Sequence, residues 1–331
     1  MTRKNIPSVT VLMSCYNSEK WLGDAIESIL AQTWRDFEFI LVNDGSRDDT
    51  LEIIRRYAGQ DKRIVIIDKK NTGLADSLNW GIRQARGKWI ARLDADDLSD
   101  SHRLERQISF VSNHPDVILL GTGFEEINEF GRCIKVHRIF ADHLSLVSRL
   151  ERGRGFFPHS SAFYSTITVR QVGAYRSRIR RAEDLDLWLR LSAYGKLAII
   201  AEPLVKIRKH AAQISHDDNG RRQNLDACAA TVSYFLRQRG LVDPVDVADE
   251  EIANRFFTWV GQHMEKDGAF ERRRAWELAR SEYFSQSNRL EGLVRFMVRL
   301  IGSGHSMSLI KEKIVGSDLP ARLAHRWQLN K

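Results

Sequence analysis

The chain has 331 residues, 43% of them apolar and 28% charged, and a formal net charge of +8 at pH 7. This composition is typical of a globular protein with a sizeable core and excludes a disordered chain. The positive charge favours anionic partners such as nucleotides, nucleic acid or an anionic membrane surface, and its sign does not choose among them.

Cysteine usage and apolar run lengths narrow the class further. The three cysteines are odd in number and far apart, which fits neither a disulfide framework nor a zinc site: Cys15, Cys133 and Cys228. We therefore expect a cytoplasmic protein without a secretion signal or a membrane-spanning helix. Because the chain has no zinc-finger spacing or RNA-binding aromatic motif, we expect no nucleic-acid partner.

The first half of the chain alternates short apolar runs with helical periodicity, the pattern of a mostly parallel sheet with crossover helices. The predicted strands cover residues 9–13, 37–42, 64–67 and 88–93. The predicted helices between them cover residues 21–30, 51–57 and 74–85. This order indicates an α/β fold in which ligands bind at the carboxyl ends of the strands.

The pattern changes after Asp116. Short strands are predicted at residues 117–120 and 133–139, which favours a smaller mixed sheet. An amphipathic helix at residues 185–194 and a strand at 197–207 follow, and the chain is mostly helical after about Arg221. We therefore expect one domain over residues 1–220 and a helical C-terminal extension over residues 221–331.

Three carboxylates directly follow the apolar segment 89–91: Asp94, Asp96 and Asp97. Such a cluster is costly to bury without a counter-ion. Its oxygen ligands suit Mg²⁺ or Mn²⁺ better than zinc, so the run predicts a metal bound together with a phosphate. The alternative is an acidic turn that caps the next helix, with a start at Ser99 or Ser101.

Two further polar loops follow predicted strands, at residues 14–17 and 43–46. Because parallel strands end at one edge of the sheet, we expect these loops to lie beside the acidic run. Each loop alone is also explained by turn chemistry, since Asn-Asp-Gly-Ser is a good turn sequence.

Four stretches together resemble the family 2 glycosyltransferases. They are VTVLMSCYN at residues 9–17, VNDGS at 42–46, RLDADD at 92–97 with RLERQ at 103–107, and AEDLDLW at 182–188. They occur in the family's order and cover about the first 210 residues. The resemblance implies a GT-A fold, which is Rossmann-like with a mostly parallel central sheet and a smaller mixed sheet. It also implies a nucleotide-sugar donor, a divalent cation and inversion at the anomeric carbon.

The resemblance assigns roles within the acidic run. Asp96 matches the family's metal ligand, and Asp94 matches the carboxylate near the ribose and the metal. Asp97 is expected to support its neighbours or to cap the following helix. A divalent cation stabilises the charge that develops on a diphosphate leaving group, which is the physical reason for the cluster.

The first two loops are expected to hold the donor nucleotide. Asp44 can accept a hydrogen bond from the imide nitrogen of uracil, which favours a uridine nucleotide. Asn43 stands where the family more often has a first Asp. Tyr16 is expected to border the base and Ser14 to bond the base or ribose, the alternative being a plain strand-ending turn.

The pair Glu183 and Asp184 begins the helix predicted at residues 185–194. The family match makes Asp184 the catalytic base that takes the proton of the acceptor hydroxyl. Glu183 would orient the acceptor or the base, and Asp186 is expected to be structural. The alternative is helix capping, because the helix dipole favours negative charge at this position.

Two histidines complete the candidate site. His210, in a segment that resembles the family's Arg-x-His, is expected to be a third metal ligand or a phosphate donor, with Ser215 nearby. His159 matches the acceptor-side segment. The alternative for His210 is an ordinary surface histidine. The arginines between residues 170 and 181 fit either an acceptor pyrophosphate or a solvated basic loop.

These expectations combine into an inverting, metal-dependent transferase that moves a sugar from a UDP-sugar to a hydroxyl of a glycan or lipid-linked glycan acceptor. The motif context resembles bacterial enzymes of exopolysaccharide, capsule or lipopolysaccharide assembly. Residues 290–301 fit either peripheral docking on the membrane or an ordinary packed helix. One alternative function is a non-catalytic nucleotide-sugar-binding or scaffold protein. Another is a nucleotidyltransferase, which predicts a glycine-rich phosphate loop that residues 14–20 do not supply.

Overall fold

The computed structural model describes residues 6–210, 220–271 and 318–329. The chain divides into two compact units, which we describe separately. The first unit comprises Met1–Leu150 and Gly155–Gln213, and the second comprises Glu151–Arg154 and Ile214–Lys331.

Four parallel strands open the first unit, as the sequence predicts: β1 (Val9–Cys15), β2 (Phe37–Asp44), β3 (Ile64–Lys69) and β4 (Trp89–Arg92). They lie in the order β3-β2-β1-β4. The crossover helices are α1 (Glu19–Leu30), α2 (Thr50–Gln60) and α3 (Leu74–Gln84). Strands β2 and β4 are buried along their whole length, because a parallel sheet is covered by helices on both faces.

The helical periodicity of the sequence accounts for this packing. In α1 the buried residues recur at helical spacing, so one stripe faces the core: Leu22, Ala25, Ile26 and Ile29. Those side chains join the apolar cluster formed by β1, β2 and β4. The sheet edge that carries the candidate site therefore rests on a fully buried core.

Five more strands extend the same sheet: β5 (Leu98–Ser99), β6 (Val117–Asn128), β7 (Cys133–His137), β8 (Phe163–Ser165) and β9 (Lys196–Lys209). The order continues β4-β8-β6-β9-β5, with β7 paired to β6. The smaller mixed part expected after Asp116 is continuous with the central sheet, since all of these strands belong to one nine-stranded sheet. The reason is that β8 pairs antiparallel with β4, aligning Ala91 with Phe163, and so joins the two halves.

Four helices and a short 3-10 helix complete the first unit: α4 (Arg103–Asn113), α5 (His143–Leu150), the 3-10 helix His159–Ser161, α6 (Thr166–Gln171) and α7 (Glu183–Leu191). The start of α4 predicted at Ser99 or Ser101 is wrong. Ser99 pairs with Val205 in the sheet, and its hydroxyl is a buried partner of Gln32. The turn before α4 is held instead by the carboxylate of Asp100, which accepts a hydrogen bond from the amide of His102.

The second unit is helical where it is described, with α8 (Arg221–Gln238), α9 (Glu250–Lys266) and α10 (Leu319–Leu329). The ring of Trp327 packs edge-on against Phe256 at 5.1 Å and Trp259 at 5.0 Å. The helical character predicted after Arg221 is confirmed, and the domain boundary at residue 220 stays a prediction.

Within the described ranges, none of the helices has both the length and the apolar character needed to cross a bilayer. Residues 213–215 and 290–301, to which the sequence assigned a phosphate-side segment and an amphipathic helix, lie outside the described residues.

Candidate active site

The loops after β1 and β2 are bonded to each other at the carboxyl edge of the sheet. The amide of Asn17 donates to Oγ of Ser46 at 3.1 Å, and the amide of Arg47 donates to Oδ1 of Asn17 at 2.9 Å. Gly45 has a φ of +67°, and a Cβ on it would lie 2.6 Å from the backbone nitrogen of Asn71. Both facts require glycine there, so the turn sequence of the second loop is fixed by its neighbours.

The three carboxylates after β4 form one cluster. One oxygen from each of Asp94, Asp96 and Asp97 lies within 4.8 Å of the others. Their exposure differs, since the side chain of Asp94 is 35% exposed and that of Asp96 is 29% exposed, whereas Asp97 is buried. Asp94 and Asp96 are therefore the members that a ligand can reach.

Asp94 is held by a buried guanidinium. Both terminal nitrogens of Arg92 donate to its two carboxylate oxygens, a bidentate pair that fixes the plane of the carboxylate. The hydroxyl of Ser160 lies 2.9 Å from Oδ2 of Asp94, and the amide of Asp94 donates to the same hydroxyl. Asp94 is thus rigidly oriented while one of its edges stays open to solvent.

Asp97 points into the protein. Its Oδ1 accepts a hydrogen bond from the amide of Arg208 at 2.8 Å, and its Oδ2 accepts one from the hydroxyl of Ser160. Both oxygens are therefore used internally. This agrees with the expectation that Asp97 supports its neighbours, and it joins the acidic loop to the end of β9.

Asp96 faces His210. Nε2 of the imidazole lies 2.9 Å from Oδ2 of Asp96, and the imidazole ring packs against Trp21 at 4.2 Å. Nδ1 of His210 is buried and has no partner among the described residues. A carboxylate and an imidazole that meet beside a second carboxylate, Asp94, form a donor set suited to a divalent cation.

The electrostatics of the cluster fit such a cation. Burial raises the pKa of Asp96, and the charge of Asp94 raises it further. Burial likewise raises the pKa of Asp97, with added repulsion from the other two carboxylates. A bound dication would offset this repulsion. The sequence predicts such a counter-ion for the acidic run for the same reason.

Arg208 connects three parts of the first unit. Its Nε donates to the carbonyl oxygen of Asp96 and its Nη1 to the carbonyl oxygen of Glu129, both at 2.9 Å. Its Nη2 lies 3.6 Å from a carboxylate oxygen of Asp24 on α1. The acidic loop, the β6–β7 turn and α1 are therefore tied together by one buried side chain.

Glu183 and Asp184 lie in the first turn of α7, and no side chain caps this helix. Oδ1 of Asp184 accepts a hydrogen bond from the amide of Leu185 at 2.7 Å. Burial raises the pKa of Glu183 to about 8, with a further rise from the charge of Asp184. The pKa of Asp184 is also raised by burial, and the Arg92 charge opposes that rise. Burial therefore makes both carboxyl groups easier to protonate than free carboxyl groups.

His159 lies between the two acidic centres. Its Nδ1 is 4.0 Å from a carboxylate oxygen of Glu183, and its Nε2 is 2.7 Å from the hydroxyl of Tyr175. Burial holds the pKa of His159 well below its usual range. The next residue, Ser160, contacts Asp94 and Asp97. The 3-10 helix therefore links the acidic cluster after β4 with the α7 carboxylates.

The arginine-rich segment before α7 is largely structural where its contacts are known. The guanidinium of Arg170 donates to the carbonyl oxygens of Ile82 and Ala85 at the end of α3. Asp186 is buried between Arg176 and Arg190, and these guanidiniums lower its pKa against the effect of burial. Arg170 therefore ties α6 to the end of α3, and Arg176 ties the segment to α7.

Asp44 lies at the end of β2 and is buried. Its Oδ1 accepts hydrogen bonds from Nζ of Lys69 and from the amide of Thr72, and its Oδ2 accepts one from the amide of Gly73 at 2.9 Å. Asp44 thus organises the loop after β3. Its contacts do not reach the acidic cluster, and the predicted role in reading a base stays a prediction.

Ser14 and Tyr16 lie in and just after β1. The ring of Tyr16 is about half exposed, and its hydroxyl has no bonded partner in the described part of the chain. Ser14 aligns with Val42 in the register between β1 and β2. Both residues are placed at the ligand edge that the sequence predicts, and their contacts with a nucleotide stay predictions.

The sequence did not assign roles to three residues that organise the site: Arg92, Ser160 and Arg208. Each lies in a motif whose functional role the sequence assigns to another residue. For Arg92 the sequence does offer a signal, a cation at the end of the otherwise apolar strand β4, since a buried Arg requires a carboxylate partner. The signal for Ser160 was weaker, because a serine is common in turns.

The sequence matches one family model and is similar to proteins named as glycosyltransferases. The family model described as glycosyl transferase family 2 matches residues 10–179. EpsE of Bacillus subtilis strain 168, named as a glycosyltransferase, is 38% identical over 208 residues, which are 61% of this chain and 73% of EpsE. An uncharacterized glycosyltransferase of Haemophilus influenzae is 30% identical over 72% of this chain and 77% of its own length.

Solved structures share the fold at low sequence identity. The S. aureus TarS structure in complex with UDP-GlcNAc superposes with a TM-score of 0.58 at 16% identity and covers 90% of this chain and 81% of that chain. The mannosyltransferase PcManGT from Pyrobaculum calidifontis, in complex with GDP-Man and Mn²⁺, has a TM-score of 0.52 at 15% identity and covers 98% and 81%. These likenesses support the predicted GT-A fold.

Proposed function

The chain belongs to glycosyl transferase family 2, and from that premise we propose that it is an inverting, metal-dependent enzyme that moves a sugar from a UDP-sugar to a hydroxyl of a surface-glycan precursor. Membership of this family is inconsistent with the nucleotidyltransferase alternative. The non-catalytic scaffold alternative is addressed by the experiment below.

One observation carries the proposal: the 3-10 helix His159–Ser161 contacts both acidic centres. Ser160 bonds to Asp94 on the metal side, and His159 lies 4.0 Å from Glu183 at the start of α7. An inverting transferase needs a site for the leaving diphosphate and a base for the acceptor on opposite sides of the anomeric carbon. Two acidic centres joined through two consecutive residues support such an arrangement.

In the proposed reaction, Asp184 accepts the proton of the acceptor hydroxyl as its oxygen bonds to the anomeric carbon from the face opposite the nucleoside diphosphate. The bond between the anomeric carbon and the diphosphate oxygen breaks, and its electron pair leaves with the diphosphate. Glu183, whose pKa burial raises to about 8, stays protonated and keeps the like charge beside Asp184 low. Arg92 holds Asp94 in place on the donor side.

Mg²⁺ or Mn²⁺ would be held by Asp96 and His210, with Asp94 beside them, and would supply positive charge for the leaving diphosphate. The oxygen-rich donor set and the raised pKa of Asp96 support a hard cation here. A chelator tests this part of the proposal directly, because it removes the cation.

The donor is proposed to be a uridine nucleotide on the chemistry of Asp44. Neighbouring folds bind different nucleotides, since the TarS structure holds UDP-GlcNAc and PcManGT holds GDP-Man, so they do not choose between them. Asp44 can act through the remaining lone pair of Oδ2 or by holding Thr72 and Gly73 against the donor. On the motif context of the acidic run, the acceptor is proposed to be an exopolysaccharide precursor, carried on a lipid at the cytoplasmic face of the membrane.

The test incubates the purified full chain with MnCl₂ and a panel of UDP- and GDP-sugars and follows nucleotide release. We expect release from one or more UDP-sugars, loss of release with EDTA, and a loss of at least about a hundredfold in Asp96→Ala and Asp184→Asn. The matched control is Asp116→Asn, an exposed residue paired with Lys196 on the surface.

Three outcomes contradict parts of the proposal separately. Release from GDP-sugars alone contradicts the uridine assignment, and activity in EDTA contradicts the metal. Binding of a nucleotide sugar without release or transfer, equal in the wild type and in Asp184→Asn, supports the scaffold alternative.

A further inference from the structure

We propose that residues 130–144, which form the β6–β7 turn, strand β7 and the start of α5, are a docking surface for an anionic lipid bilayer. We call these residues the 130–144 surface. Binding of a bilayer there does not depend on the proposed donor or acceptor. Its use in presenting a lipid-linked acceptor does rest on the proposed function.

Large apolar side chains are concentrated on this surface. Of the twelve large apolar residues that are exposed in the described part of the chain, five lie between residues 130 and 144. Their exposed fractions are high: Phe130 79%, Ile134 58%, Val136 46%, Phe140 81% and Leu144 74%. Single exposed apolar residues are ordinary, but a concentration of this kind marks an interaction site.

Cations are interspersed with these apolar residues. Arg132, Lys135 and Arg138 are exposed, and their side chains form no ion pair with a carboxylate of the described residues. The acidic side chain within the range, Asp142, accepts a hydrogen bond from the amide of Ser145. Three cations and one carboxylate lie within the range, so the 130–144 surface carries net positive charge beside exposed apolar side chains.

The architecture explains why these side chains stay uncovered. Among the described strands of the sheet, β7 pairs with β6 alone and has no second strand on its outer side. Four of its five residues are exposed, and His137 is the one that packs inward, against Phe124. β7 alternates Ile and Val with Lys and Cys and is exposed on both faces, so its apolar side chains do not belong to a core.

A bilayer fits this surface better than a protein partner does. An anionic membrane offers negative headgroups for the three cations and, directly beneath them, an apolar layer for aromatic and aliphatic tips. Phe130 and Phe140, both about four-fifths exposed, stand on loops at the two ends of β7. Loop-borne aromatic tips flanked by Arg and Lys suit the interface between headgroups and acyl chains.

The surface is also joined to the candidate active site. Glu129, the residue before Phe130, has its carbonyl oxygen bonded to Arg208, whose Nε donates to the carbonyl oxygen of Asp96. Docking at the β6–β7 turn would hold the acidic loop close to the membrane plane, where a lipid-linked acceptor lies.

The test measures sedimentation of the full chain with vesicles of phosphatidylcholine alone and of phosphatidylcholine mixed with phosphatidylglycerol. We expect binding to the mixed vesicles, weak binding to phosphatidylcholine, and loss of binding in about 1 M NaCl, where the Debye length is about 3 Å. Two variants address the two components: Arg132→Glu with Lys135→Glu and Arg138→Glu, and Phe130→Ser with Phe140→Ser. Each should weaken binding to mixed vesicles at least about tenfold.

Matched controls change the same chemistry elsewhere. The charge control is Lys62→Glu with Lys88→Glu and Arg255→Glu, three exposed residues outside the surface. The apolar control is Ile167→Ser with Val242→Ser, two other exposed aliphatic residues. Both controls should bind the mixed vesicles as the wild type does. All variants should keep the wild-type melting temperature and the wild-type rate of nucleotide release, which separates this test from that of the proposed function.

Three results would overturn the proposal. The first is a wild-type protein that binds neither vesicle. The second is binding that both surface variants retain, which would place the membrane contact elsewhere in the chain. The third is a wild-type dimer in the absence of lipid that the surface variants convert to a monomer, because the surface would then belong to a second copy.

Discussion

Nε2 of His210 lies 2.9 Å from Oδ2 of Asp96, so the end of β9 meets the acidic loop that follows β4. The two residues are 114 positions apart in the chain. The contact places an imidazole nitrogen beside a carboxylate oxygen, and the first prediction concerns this pair.

His210→Ala should raise the dissociation constant for Mn²⁺ by about tenfold to a hundredfold, because the imidazole is removed from the donor set. Titration of the purified protein with Mn²⁺, followed by electron paramagnetic resonance, measures the change. His114→Ala is the matched control, since His114 is exposed and its ring contacts Phe110 within α4. An unchanged Mn²⁺ affinity in His210→Ala would show that this histidine only orients Asp96.

Removing the carboxylate of Asp97 should lower the free energy of unfolding, whereas removing that of Asp96 should not. Asp97→Ala leaves the buried amide of Arg208 without its acceptor and removes one of the two carboxylate partners of the Ser160 hydroxyl, so the free energy of unfolding should fall by about 2 kcal/mol. Asp96→Ala removes a repulsive neighbour of Asp97 and should leave that free energy unchanged or slightly higher. Urea denaturation in EDTA measures both. Equal losses in the two variants would refute the distinction.

The pH dependence of stability should carry a contribution from Glu183. Burial raises the pKa of its carboxyl from 4.5 to about 8. Between these values the unfolded chain ionises this group while the folded chain keeps it protonated, so the free energy of unfolding falls as the pH rises from about 4.5 to about 8. Glu183→Gln should flatten this slope, measured by urea denaturation across the range. The control, Glu52→Gln on the exposed face of α2, should keep the wild-type slope.

Arg92→Lys should lower kcat/KM at least about tenfold even though the charge is kept. A lysine ammonium cannot reproduce the bidentate pair that orients Asp94. Steady-state kinetics with the nucleotide sugar that the release assay selects measures the loss, and circular dichroism checks the fold. Arg63→Lys, at a partly exposed bidentate pair with Asp61, serves as control and should keep wild-type kinetics. A fully active Arg92→Lys would mean that Asp94 does not need a fixed orientation.

Much of the parallel half of the fold could be predicted from the sequence. The four strands β1 to β4 and the crossover helices follow from apolar periodicity, which is a local property of each segment. The meeting of the loops at one edge follows from parallel topology alone. The start of α4 could not be predicted in this way, because Ser99 is drawn into the sheet by Val205, a residue more than a hundred positions away.

By itself, the sequence determined the α/β class, the positions of the acidic run and of Glu183-Asp184, and the family. Only the tertiary structure decided how those carboxylates differ. Asp97 is turned inward by the amide of Arg208, Asp96 is turned to His210, and Asp94 is fixed by Arg92 and Ser160. The tertiary structure also joined the later strands to the same sheet through β8. The physical reason is the same in each case. Burial and hydrogen bonding depend on residues that are distant in the chain, and a local residue pattern does not specify which distant residue will be the partner.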